Sequence, residues 1–116
     1  MTGNVFLVQH WELGSLEAAG VRSPVVLHSD EAARAILIAL EPGESLGDHQ
    51  VKEHAWVVVV GGEMVFTVAG NELPGSPGTL VRFEPGERHS VRSDGGGRLL
   101  LLLAPWPGEG HYRGEE

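Results

Sequence analysis

Cysteine is absent from the 116 residues, which removes disulfides, thiolate metal sites, iron–sulfur clusters and cysteine nucleophiles together. Any metal must bind through nitrogen and oxygen. Basic residues are scarce too: 8 Lys and Arg stand against 16 Asp and Glu, a formal charge of -8. No basic run breaks that pattern, so phosphate backbones and anionic lipid surfaces are repelled, and neither nucleic acid nor membrane is an expected partner. Long hydrophobic runs are also missing. No run exceeds six residues, the length of Ala55 to Val60 and of Leu99 to Ala104, against about 20 for a bilayer-spanning helix. Met1 to Gln9 holds no Lys or Arg and only the short apolar stretch Val5 to Val8, too little for a signal peptide. The expected location is cytoplasmic.

What the chain does have is turn formers. With 17 Gly and 7 Pro among 116 residues, about a fifth of the positions favour turns over element interiors, which argues against a helical bundle. Hydrophobic residues at 41% and charged residues at 21% match a globular chain, and the length suits one core. A single domain over residues 1–113 is expected, with residues 114–116 as a frayed, charged tail.

Short apolar stretches recur at the spacing of a β-sandwich or barrel, separated by Gly, Pro, Asn or Asp. Val5 to Val8 and Val21 to Leu27 read as strands, with Pro24 marking the second as an edge. Glu31 to Leu40 is ambiguous: Ser29 or Asp30 could cap a helix, but Ile36, Leu37 and Ile38 are consecutive and Pro42 follows, so a strand is favoured over the second half. Ser45 to His49 and Ala55 to Val60 read as strands, with Gly61 and Gly62 as a hairpin turn. Glu63 to Ala69 follows, then a turn at Gly70 and Asn71 and a surface loop from Pro74 to Gly78. Leu80 to Phe83, His89 to Arg92 and Arg98 to Leu103 complete the strands, with turns at Pro85 to Arg88 and Gly95 to Gly97.

From Gly43 to Ser93 the chain resembles the cupin superfamily, specifically its small single-domain members. Gly43, His49, Val51, Ala55 and Gly62 stand at the spacing of that family's first motif, whose second His and Glu are here Val51 and Ala55. Gly78, Glu84, Gly86, His89 and Ser93 stand at the spacing of the second motif, with Glu84 in place of Pro and Ser93 in place of Asn. Fifteen residues separate Gly62 from Gly78, as in minimal cupins. The resemblance implies an all-β, double-stranded β-helix or jelly-roll barrel that holds a divalent metal in its mouth.

His49 and His89 are the two positions that keep the family's ligands. Neutral imidazole is the commonest ligand near pH 7. A third donor must come from nearby, and Asp48, Gln50, Glu53 and His54 are the candidates. If His49 points inward along an uninterrupted strand, alternation places Val51, Glu53, Ala55, Val57 and Val59 on its face. Glu53 then completes a two-His, one-carboxylate set suited to Fe, Mn or Ni, with Zn also open; a bulge between residues 50 and 54 would put His54 there instead. Val51, Val57, Met64, Phe66 and Phe83 are expected to line the pocket. The other reading is a metal-free barrel that binds or senses a small molecule without catalysis, in which His49 and His89 hydrogen-bond to each other or to water.

His10, His28 and His111 are isolated in sequence and read as surface or capping residues. Trp56 reads as packing, and Trp106 as the residue that pins the tail. No nucleophile elbow, phosphate-binding Gly loop or dinucleotide fingerprint is present. Trp56, Val58 and Val60 share an outward face if His49 points in, and Arg98 to Leu103 is apolar on both faces, so a homodimer is expected to bury them.

Overall fold

The computed structural model describes residues 7–108, and among them every regular element is a strand. Within these residues the strands are β1 Val25–Ser29, β2 Arg34–Leu40, β3 Glu44–His49, β4 His54–Gly62, β5 Met64–Val68, β6 Asn71–Gly75, β7 Leu80–Phe83, β8 His89–Ser93 and β9 Gly97–Ala104. They form two antiparallel sheets, β1-β2-β9-β4-β7 and β3-β8-β5-β6. This is the all-β jelly roll that the motif spacing implied. Among the described residues no helix is long and apolar enough to cross a membrane.

The core lies between the sheets. Ile38 and Leu40 of β2, Val57 and Val59 of β4 and Leu99 and Leu103 of β9 meet Met64 and Phe66 of β5, Val91 of β8 and Phe83 of β7, all nearly inaccessible to solvent. In β4 the alternation is regular, with Ala55, Val57 and Val59 buried and Trp56 exposed, because one face of an antiparallel strand packs on the core. The consecutive apolar residues of β2 have another reason. Ile38 and Leu40 face the core, yet Leu37 on the opposite face is 0% exposed. At the neighbouring outer position, Arg98 donates a 2.7 Å hydrogen bond to the carbonyl of Leu13, tying the irregular N-terminal segment to this sheet. A strand covered on both sides carries no polar face.

Several expected boundaries shift. Glu31 to Leu40 contains no helix: Asp30 instead accepts from the amides of Ala32 and Ala33 and shapes the β1–β2 turn, after which Arg34 starts the strand. The strand expected at Val21 to Leu27 begins at Val25, directly after Pro24, and β1 is an edge strand as that proline suggested. Leu7 and Val8 are irregular, while the rest of the expected first strand, His111 and the tail at 114–116 lie outside the described residues.

Gly61 and Gly62 are not a hairpin turn. β4 runs through both with a bulge after Val59, and β4 and β5 belong to different sheets, so this is where the chain crosses between layers. Gly62 has φ 75°, and a Cβ there would sit 2.2 Å from the carbonyl oxygen of Gly96. The following turn is at Ala69 and Gly70, both at positive φ, which leaves Asn71 in β6. Pro74 falls inside β6 and not in a loop, a position open to proline because β6 is the edge of its sheet.

Candidate functional site

The two retained motif histidines are cross-strand neighbours. His49 ends β3, His89 begins β8, and they are paired in register after a bulge that follows Leu46. Their ring centroids lie 4.3 Å apart at an interplanar angle of 59°. Across the barrel, Phe83 of the opposite sheet stacks on His89 with centroids 3.8 Å apart and planes 7° from parallel. The turn between β7 and β8 sets that arrangement: Gly86, at φ 82°, donates to the carbonyl of Val51 at 2.7 Å, which ties the turn to the segment after His49.

Each imidazole is anchored to its own backbone two residues upstream. Nδ1 of His49 lies 2.6 Å from the carbonyl of Gly47, and Nδ1 of His89 lies 3.1 Å from the carbonyl of Glu87. A carbonyl oxygen only accepts, so both Nδ1 atoms carry the proton, and in the neutral rings both Nε2 atoms keep their lone pairs. Burial pushes the pKa of His89 below the usual histidine value; the bond to Glu87 opposes the shift, and the neighbouring His49 adds to it. Burial thus favours the neutral form of His89.

The pair closes a recess between the sheets. Its other walls are Ile38, Leu46, Val57, Phe66, Phe83, Val91, Leu99 and Leu101, all hydrocarbon. The recess offers about 20 Å³ to water centres, and with its open mouth it encloses about 280 Å³; the smaller figure corresponds to a single water-sized group. Of the residues named from the sequence for a pocket, Val57, Phe66 and Phe83 lie along this recess. Val51 and Met64 do not: Val51 packs against the core, and Met64 is buried where it would touch a side chain at Gly97. The added walls are Ile38, Leu46, Val91, Leu99 and Leu101; the two-residue period of β8 puts Val91 on the face of His89, whereas Leu46 comes to the face of His49 only through the bulge that follows it.

Glu53 is placed differently from the two histidines. β3 stops at His49 and β4 starts at His54, so residues 50–53 interrupt the alternation on which its ligand role depended. Its side chain is 1% exposed, and Oε2 accepts a 2.7 Å hydrogen bond from the amide of Gly108. Gly108 is fitted to that spot, since a Cβ would lie 2.6 Å from the carbonyl of Lys52. The reserve candidate His54 accepts a 2.9 Å bond at Nδ1 from Arg82, beside Glu84. Asp48 pairs with Arg88 at 3.0 Å. Among the described residues no three His, Asp or Glu side chains come together as a metal-holding group. The structure thus joins His49 to His89 but, among the described residues, assembles no third ligand beside them, and the residues present do not fit the three-ligand centre that the motifs implied.

His10 and His28 sit in local pairs, with Glu12 at 2.8 Å and Asp30 at 2.9 Å. Trp106 is held against the guanidinium of Arg34, 4.5 Å from the ring centre, and its amide donates to the carbonyl of Glu31 at 3.3 Å. Glu53 anchors this returning segment through the Gly108 amide, a role that nothing in its sequence neighbourhood signals. A lone acidic residue between a Lys and a His carries no local signal of burial.

Two packed antiparallel sheets with a paired-histidine recess at one end define a small jelly-roll barrel. Residues 36–105 match the family model for the cupin domain, and the chain belongs to that family. Solved structures agree in fold. The TT1209 protein of Thermus thermophilus is 24% identical over 84% of this chain and 98% of its own, with a TM-score of 0.74. An RmlC-like cupin from Shewanella frigidimarina is 22% identical over 84% of this chain and 92% of its own, at 0.71. A cupin superfamily protein from Desulfitobacterium hafniense is 16% identical over 79% and 85%, at 0.72. No curated protein matches the chain in sequence.

Proposed function

We propose that this cupin is a binding module that takes a small organic molecule at the barrel mouth against His49 and His89, without a resident three-ligand metal centre. One observation carries the reading: two imidazoles of fixed tautomer meet in a hydrocarbon recess, while the carboxylate best placed in sequence to complete a metal set accepts the amide of Gly108. Apolar walls with a few convergent polar atoms are the usual make-up of a small-molecule site. The fold itself selects no reaction, and no side chain lining the recess is a hydroxyl or carboxylate nucleophile. The deciding experiment is elemental analysis of protein purified without an affinity tag, followed by thermal shift with Mn(II), Ni(II) and Zn(II). Protein that carries no metal and responds to none supports the module. Stoichiometric metal overturns it.

A second reading has a specific observation behind it. Histidine ligands of metals commonly anchor their other ring nitrogen on a backbone carbonyl, and both histidines do so here. On that reading His49 and His89 hold Fe, Mn, Ni or Zn, and ligands from solution complete its coordination.

The module also pairs with a second copy of itself. Trp56 is 38% and Leu80 57% exposed on the outer face of the five-stranded sheet, and Val58 of β4 pairs directly with Leu80. A two-fold contact covers such a face with itself.

A further inference from the structure

Among the described residues, the side chains lining the recess offer two hydrogen-bond acceptors and no free donor. Both Nδ1–H groups are engaged by the carbonyls of Gly47 and Glu87, which leaves the Nε2 lone pairs as the polar atoms the neutral rings can offer. Every other lining side chain is hydrocarbon. Within that lining no lysine, arginine, hydroxyl or amide side chain stands ready to receive a carboxylate or phosphate, and no carboxylate is there to neutralise an ammonium ion. Its inner volume of about 20 Å³ admits one water-sized group and not a whole molecule.

We infer that the site selects a neutral hydroxyl compound, an alcohol or phenol, whose O–H donates to Nε2 of His49 or His89 at the edge of the touching pair while its apolar body lies against the hydrocarbon lining beside Leu46. This rests on the reading of the site as a metal-free binding module and adds to it a ligand class. The selectivity follows from unpaired groups. A ligand of the same shape without a donor leaves buried acceptors unsatisfied, and an anion brings lone pairs against lone pairs; both are costlier than the loss of one hydrogen bond to water.

The test uses the full chain, treated with chelator, and three probes of similar size: phenol, fluorobenzene and benzoate, with binding followed by amide chemical shifts around residues 46–49 and 83–91. Phenol is expected to bind about tenfold more tightly than fluorobenzene, the value of one buried hydrogen bond, with benzoate weaker than phenol. In His49→Phe and His89→Phe, which keep an aromatic ring at each position, the phenol preference should fall while fluorobenzene still binds. Equal binding of phenol and fluorobenzene overturns the ligand class but leaves an apolar binding module. Benzoate binding tightest overturns it as well, since it requires a donor in the recess. Phenol binding that appears only after Zn(II) is added overturns both this inference and the metal-free reading, and failure of all three probes at millimolar concentration overturns the inference together with the small-molecule site.

Discussion

Phe83 lies face to face with His89, ring centroids 3.8 Å apart and planes 7° from parallel, although the two belong to opposite sheets. The contact joins the core to the recess, because Phe83 is 2% exposed and also lies 6.4 Å from Phe66, centroid to centroid. A change at Phe83 therefore acts on stability and on the histidine together. Phe83→Ala is expected to cost about 3–5 kcal/mol, the range for a fully buried Phe, and to shift the ring proton resonances of His89. Chemical denaturation and proton NMR check the two parts; a loss under about 1 kcal/mol would mean the ring is not packed as described.

The depressed pKa of His89 gives a pH dependence with a definite sign. Its value in the folded state lies below that of the unfolded chain, chiefly through burial. The unfolded state then takes up the proton first as the pH falls, so the contribution is present in full above the unfolded value of about 6.5 and is lost as the pH drops through the lower folded value. Urea midpoints of wild type should fall on acidification through this window, and those of His89→Phe should fall less. Parallel curves would remove the assignment.

Glu53 and Gly108 form a second testable pair. Removing the carboxylate in Glu53→Ala leaves the Gly108 amide without its acceptor in a buried position, at a cost of about 1–3 kcal/mol. Hydrogen exchange at Gly108 should accelerate. Gly108→Ala should also destabilise, since its Cβ meets the Lys52 carbonyl at 2.6 Å, and the double variant should cost less than the two single costs added.

Two glycines at positive φ separate strain from collision. Gly62 has φ 75° and a Cβ path blocked by the Gly96 carbonyl, whereas Gly86 has φ 82° with its nearest neighbour, the Gln50 side chain, at 3.8 Å. Gly86→Ala bears the backbone conformation alone, about 1–2 kcal/mol; Gly62→Ala must in addition move backbone and should cost distinctly more. Thermal melts of both variants rank them, and equal losses would contradict the crossing geometry at Gly62.

The outer-face pairing predicts a mass in solution of twice the monomer. Leu80→Glu places a charge on the exposed face of β7 and should shift the protein to monomer with little change in fold, since Leu80 is 57% exposed. Light scattering across micromolar concentrations checks both, and a wild-type monomer throughout would end the idea.

The sequence alone determined the all-β class, the fold family and the two histidines. Short apolar stretches bounded by Gly and Pro have few solutions other than strands, and the spacings Gly43 to Gly62 and Gly78 to Ser93 record turns and pairings that cannot slip without turning side chains to the wrong face. That is why Leu80 to Phe83 reads as a strand with the bounds that β7 has. What depended on contacts distant in sequence was left to the tertiary structure. Gly61 and Gly62 look like a hairpin until β9 claims β4 and β5 goes to the other sheet. Pro74 looks like a loop residue until β6 proves to be an edge. Glu53 looks like a ligand under strict alternation, but alternation holds only within a strand, and the break at residues 50–53 lets its carboxylate meet Gly108, 55 residues further on. Period two is a local property of the backbone, while the partner of a buried carboxylate is fixed by whichever distant amide the fold brings to it.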